Sequence, residues 1–124
     1  MPTTQKTAAR LPLPHARARW FHRQGLATPS DAAPEEVIAA SGWPRTLGGI
    51  DVYLAARARI AGLKRADLDA AVESGALNVS PAVRGCIYVV PRLELPLALR
   101  IAEEMWWPRT ERELEKAGSS WQEV

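Results

Sequence analysis

Ten prolines and eight glycines punctuate this 124-residue chain, and their positions set what it can fold into. A proline lacks the backbone donor that a helix interior needs, so it opens or breaks helices. A glycine accepts the left-handed backbone that closes them. Gly25 stops a basic segment running from about His15 to Gln24. Pro34 opens a second segment, with Glu35 and Glu36 complementing the positive helix end, and Ser41, Gly42 and Pro44 close it. Gly48 and Gly49 precede a third segment, which Gly62 ends. Lys64 to Glu73 is a fourth, stopped by Gly75, with Leu68 and Val72 four residues apart. Leu77 and Val79 then alternate with Asn78 and Ser80, a loop covers Pro81 to Gly85, and Cys86 to Val90 is continuously apolar. That is the pattern of a two-stranded hairpin. Pro96 to Met105 returns to helical spacing, and a short charged helix is expected after Pro108, ending near Gly118. The expected fold is mainly α with one small β-hairpin.

Within the third segment, Ile50, Tyr53, Leu54, Arg57, Ala58 and Ala61 share one broad face, while Asp51 and Arg59 lie towards the other. Trp20 and Phe21 are expected to be core residues of the first helix. With 47% apolar and 24% charged residues, the chain suits a single core. No apolar run reaches the roughly 18 residues of a membrane span. Cys86 has no cysteine partner, which fits a reducing, cytoplasmic compartment. As the opening residue of an apolar strand, it reads as a small buried hydrophobe rather than an activated nucleophile. His15 and His22 lie seven apart on one helix face without a third ligand, so neither a metal nor another cofactor is expected.

Charge is unevenly distributed. Residues 1–65 hold ten Lys or Arg against four Asp or Glu, a net +6, whereas residues 66–124 hold six against ten, a net −4. The first 23 residues carry Lys6, Arg10, Arg17, Arg19 and Arg23 with no carboxylate, as an organellar transit peptide does, but they merge directly into the first helical segment. Such asymmetry fits either a basic surface that meets phosphates or an ordinary solvated surface.

The string RADLDAAVESGALNVSPAVRGCIYVVP, from Arg65 to Pro91, resembles part of a bacterial winged-helix family, in which an "ADLDAAL" helix leads through a wing to "RGTLHLVP". The opening HRQGL, the segment Pro34 to Ser41 and the stretch ARARIAG resemble it too. The resemblance covers roughly residues 15–105, and Arg84 to Pro91 is its most specific part. That family includes DNA glycosylases that release alkylated bases and unhook interstrand crosslinks, besides members described only as DNA-binding. Its chains are several times longer, with winged-helix units in tandem. The resemblance therefore implies a winged helix-turn-helix that forms the first unit of a longer protein. Residues 1–13 would be a flexible arm, 14–105 the winged-helix domain, and 106–124 a helical linker toward a downstream unit. Ser120 and Glu123, three apart, would cap the next helix.

The glycosylases resemble one another at a Gln-x-Gln or Gln-x-Asp motif before the "ARARIAG" helix. The ungapped positions here are Arg45, Thr46 and Leu47, so the carboxamides are missing. Asp51 is the nearest carboxylate that could replace them, and its other reading is a helix-dipole partner. For contact with duplex DNA the first candidate is Arg84, at the base of the wing beside Gly85, where the backbone could approach a phosphate. Its other reading is a structural arginine tied to a helix carboxylate. Arg45, Arg17, Arg19, Arg23, Lys64 and Arg65 are further phosphate contacts, while Asp67, Asp69 and Glu73 on the fourth helix would repel phosphate. Trp106 and Trp107 are read as a contact to a downstream domain. Three functions stay open: a non-catalytic DNA-binding module, the N-terminal unit of a DNA repair glycosylase, and a protein-interaction winged helix.

Overall fold

The computed structural model describes residues 10–120. The elements follow as α1 (Leu13–Arg23), α2 (Pro34–Ser41), α3 (Asp51–Arg57), α4 (Arg65–Glu73), β1 (Leu77–Pro81), β2 (Ile87–Pro91) and α5 (Leu95–Lys116), with a tight non-helical turn at Val83–Gly85 and a single 3₁₀ turn at Arg92–Glu94. The expected mainly helical fold with a small antiparallel hairpin is present. Lys6, most of the expected N-terminal arm, and Glu123 of the expected Ser120–Glu123 cap lie outside the described residues.

Local chemistry accounts for most of these boundaries. Pro34 occupies the first turn of α2, where its missing N–H would be unsatisfied anyway, and Glu35 and Glu36 follow it. The Lys64 N–H donates to the Asp67 carboxylate at 2.8 Å, fixing the first turn of α4. Gly75, at φ 72°, ends that helix. The Arg92 guanidinium then closes over the helix end, donating from Nε to the Gly75 carbonyl at 2.8 Å and from Nη2 to the Ser74 carbonyl at 2.7 Å. A cation there satisfies orphan carbonyls and meets the negative end of the helix dipole.

The hairpin is registered Leu77 to Pro91 through Pro81 to Ile87, and it lies between two apolar layers. One contains Val37 and Ile38 of α2, Val52 and Ala56 of α3, Ile60, Leu63, Leu68 and Ala71, closed by Leu77 and Val89 of the hairpin. The other contains Ala82, Val90 and Ala98, where α5 crosses the opposite face. Neighbouring strand residues point to opposite faces, which is why Val89 and Val90 serve different layers. Trp43 packs against both. Its indole N–H donates to the Glu94 carboxylate, and its ring meets Tyr88 edge-on at 6.5 Å. A further short pairing joins residues 44–46 to β2: the Thr46 N–H reaches the Ile87 carbonyl at 2.9 Å and the Val89 N–H reaches the Pro44 carbonyl at 3.0 Å.

Several sequence expectations are corrected. The inward face of α3 and the turn after it is Val52, Ala56 and Ile60, whereas Ile50, Leu54, Arg57, Ala58 and Ala61 are exposed. Both faces of that segment carry apolar residues, so periodicity selected the wrong one. In α4 it is Ala71 that joins Leu68 inside, and Val72 is exposed. In β1, Leu77 and Ser80 are buried and Val79 is exposed. Trp20 and Phe21 are 57% and 50% exposed and pack on each other rather than in a core. Pro108 does not separate two helices; α5 runs through it for 22 residues. The expected boundary between residues 105 and 106 therefore falls inside one helix. No helix of the described residues is long and apolar enough to cross a membrane.

Candidate functional site

The loop before α3 is built around one carboxylate. Asp51 Oδ2 accepts the Leu47 N–H at 2.9 Å, while Oδ1 accepts the Val52 N–H at 3.0 Å and the Thr46 hydroxyl at 3.3 Å. Thr46 Oγ1 in turn accepts the Gly48 N–H at 3.1 Å. The Leu47 N–H above all holds the Asp51 carboxyl below its ordinary value of 3.8, against opposing desolvation and with help from Val52 and Thr46. A base needs affinity for the proton. Here each oxygen accepts a hydrogen bond within the loop and the proton affinity is reduced, which fits Asp51 as the group that closes the loop and the helix start. Of Arg45, Thr46 and Leu47, the last two are its partners.

Arg45 leads elsewhere. Its backbone pairs antiparallel with Tyr88, which also pairs with Ser80. That rung is one step from the Pro81–Ile87 pair that closes the hairpin, so Arg45 lies at the same end of the hairpin as Arg84. Both side chains are exposed. Arg84 is the only non-glycine among the described residues with positive φ, at φ 56° and ψ 25°. A Cβ in the left-handed region costs about 1 kcal/mol or more, and such positions concentrate at functional sites. The alternative reading, a tie to a helix carboxylate, is not realised: among the described residues the Arg84 guanidinium has no acidic partner within ion-pair distance.

The backbone around Arg84 is not open to a phosphate. The Arg84 N–H donates to Met105 Sδ at 3.0 Å, and the Gly85 N–H reaches the Ala82 carbonyl at 3.3 Å. A Cβ on Gly85 would stand 3.0 Å from the Trp106 indole. The expected backbone approach at Gly85 is thus replaced by a contact with α5, leaving the Arg84 side chain as the available group. Trp106, read from sequence as a contact to another domain, has a partner on its own hairpin.

Lys64 and Arg65 form a second basic place at the start of α4. They border a groove of about 990 Å³ between α3, α4 and the hairpin, together with Thr46, Ile50, Leu54 and Val79. Arg65 lies 5.3 Å above the Tyr53 ring and 3.4 Å from Asp69. The Tyr53 hydroxyl donates to Asp69 at 2.5 Å, which raises the Tyr53 pKa above 10.0. Two of the three acids expected to repel phosphate from α4 are therefore engaged: Asp67 by the Lys64 backbone and Asp69 by Tyr53 and Arg65. Glu73 is exposed.

Arg17, Arg19 and Arg23 stand apart on α1, which buries no residue. The chain just after α1 is tied to the body where Arg59 Nε donates to the Gln24 carbonyl at 2.8 Å. Arg23 borders a separate groove with Arg59, Glu36 and Ser41, which no hairpin residue lines. Cys86 is half-buried, not fully inside. No group of three His, Cys, Asp or Glu able to hold a metal occurs among the described residues.

Sequence reasoning missed the clamp of Met105 and Trp106 on the hairpin and the Tyr53–Asp69–Arg65 cluster. Only the four-residue spacing of Arg65 and Asp69 hinted at the latter. The former spans 21 positions between Arg84 and Met105 and has no local signal. Comparisons with family models, with curated proteins and with solved structures find no match to this chain.

Proposed function

We propose that this chain is a winged helix-turn-helix module that contacts duplex DNA, with α3 and α4 as the helical pair, β1 and β2 as the wing, and residues 44–46 as the short strand beside it. The observation that carries this reading is the hairpin end, where exposed Arg84, in a left-handed backbone, shares its end of the sheet with exposed Arg45. Guanidinium groups suit phosphate oxygens. Lys64 and Arg65 add positive charge at the start of α4, where the helix dipole has the same sign. Contacts of this type position a protein on the duplex and carry no sequence information. Base excision by Asp51 is not part of the proposal, because its hydrogen bonds within the loop lower its affinity for a proton.

The test is fluorescence anisotropy of a short labelled duplex at two salt concentrations, with Arg84→Ala and Arg45→Ala beside the parent chain. Expected are affinity that falls steeply with salt and a loss of about fivefold for each variant, the size of one phosphate contact. Absence of binding at low salt would overturn the proposal. A second reading, docking of a folded partner such as a downstream unit, is favoured by the α3–α4 groove, where Ile50, Leu54 and Val79 are 65%, 57% and 59% exposed. It would show as association of the chain with that unit and no response to DNA.

A further inference from the structure

A two-stranded hairpin is marginal by itself, and its tip is ordinarily its loosest part. Here the tip is held from outside. The turn Val83–Gly85 lies against the middle of α5, where Met105 accepts the Arg84 N–H and the Trp106 indole fills the space over Gly85. Gly85, at φ 68°, suits both demands: a side chain would strain its backbone and would crowd the indole, 3.0 Å from the Cβ position. These contacts fix the main chain on both sides of the Arg84 Cα and leave its side chain exposed. A group fixed in its binding posture loses less conformational freedom when it binds.

We infer that α5 is a clamp that presents Arg84 to a phosphate, which makes Met105 and Trp106 positioning residues for DNA contact although neither touches the nucleic acid. This rests on the DNA-contact reading above and adds to it a mechanism for the wing. Trp106 then acts through Arg84, and its effect on binding disappears when Arg84 is absent.

The experiment is a double-mutant cycle on the full chain, using anisotropy with the same labelled duplex at low salt. It compares the parent, Arg84→Ala, Trp106→Ala and the double variant, with Trp106→Phe as the variant that keeps a ring on Gly85. Arg84→Ala should weaken binding about fivefold. Trp106→Ala should weaken it about two- to threefold in the parent and leave it unchanged in the Arg84→Ala background, while Trp106→Phe should restore most of the loss. Amide exchange supplies a readout without DNA: the Arg84 N–H should exchange faster in Met105→Leu, which keeps the bulk and removes the acceptor. An equal loss with and without Arg84, a gain in affinity on Trp106→Ala, or unchanged exchange would overturn the clamp while parent binding left the DNA reading intact. A parent chain that does not bind at low salt would overturn both. Should Trp106→Ala fail to fold, Met105→Leu takes its place in the cycle, with and without Arg84→Ala.

Discussion

Replacing Arg84 by glycine separates what its backbone costs from what its side chain does. At φ 56° and ψ 25° the arginine sits where a Cβ is disfavoured, by about 1 kcal/mol or somewhat more. Glycine relieves that strain but brings a more flexible unfolded chain, worth about 0.5–1 kcal/mol against it. The net is a small stabilisation of about 0.5 kcal/mol, or roughly 2 °C in Tm for a domain of this size. Arg84→Ala keeps the strained backbone and should melt within about 1 °C of the parent. Binding behaves differently, since both variants lose the same guanidinium. Each should weaken the duplex complex about fivefold and reduce the salt dependence by about one phosphate. Thermal melts followed by circular dichroism, paired with anisotropy at several salt concentrations, read both quantities. A lower Tm for Arg84→Gly than for Arg84→Ala would refute the strain argument. Parent-like binding by the glycine variant would refute the assignment of Arg84 to DNA.

Other expectations follow from the same geometry. Because the folded state lowers the Asp51 pKa below 3.8, that carboxylate stabilises the fold above its ordinary pKa, and the contribution is lost as pH falls through the lowered value. Asp51→Asn should therefore be less stable at neutral pH and show a flatter acid limb in melts between about pH 4 and 2; a limb as steep as the parent's would show that Asp51 is not responsible. Leu77 is fully buried between the helices and the hairpin, so Leu77→Ala should cost about 2–5 kcal/mol in urea unfolding, and a cost under about 1 kcal/mol would contradict its place in the core. Pro108→Ala supplies a donor inside α5 and should raise far-UV helicity and slow amide exchange over residues 104–112. Unchanged exchange there would mean that the proline does not weaken the helix.

The parts of this fold that were readable in advance are those decided by neighbours in sequence. Pro34 with Glu35 and Glu36 marked the start of α2, Gly25 and Gly75 marked stops, and the alternation from Leu77 with the apolar run to Val90 marked the hairpin. What failed depended on distant partners. The third segment carries apolar groups on both sides, and only the positions of α2, α4 and the sheet decide that Val52, Ala56 and Ile60 turn inward. Trp20 and Phe21 have the composition of a core pair, yet they remain exposed. At the candidate site, the arginines were found by type, but the pairing that brings Arg45 to the Arg84 end of the hairpin was not, because a stretch of residues 44–46 is too short to announce itself as a strand. The role of Asp51 was half visible: its place at a helix start suggested the dipole, and the loop that it closes from Thr46 was not foreseen.

Pro108 lies two residues beyond Trp106, inside the same helix. A proline ring there leaves the Glu104 carbonyl without its usual donor and makes one turn of the helix the easiest to bend. The bar of α5 consequently has a soft joint just past its grip on the hairpin. A bending load on the far turns, from Arg109 to Lys116, would be absorbed at that joint instead of levering the grip on the hairpin open.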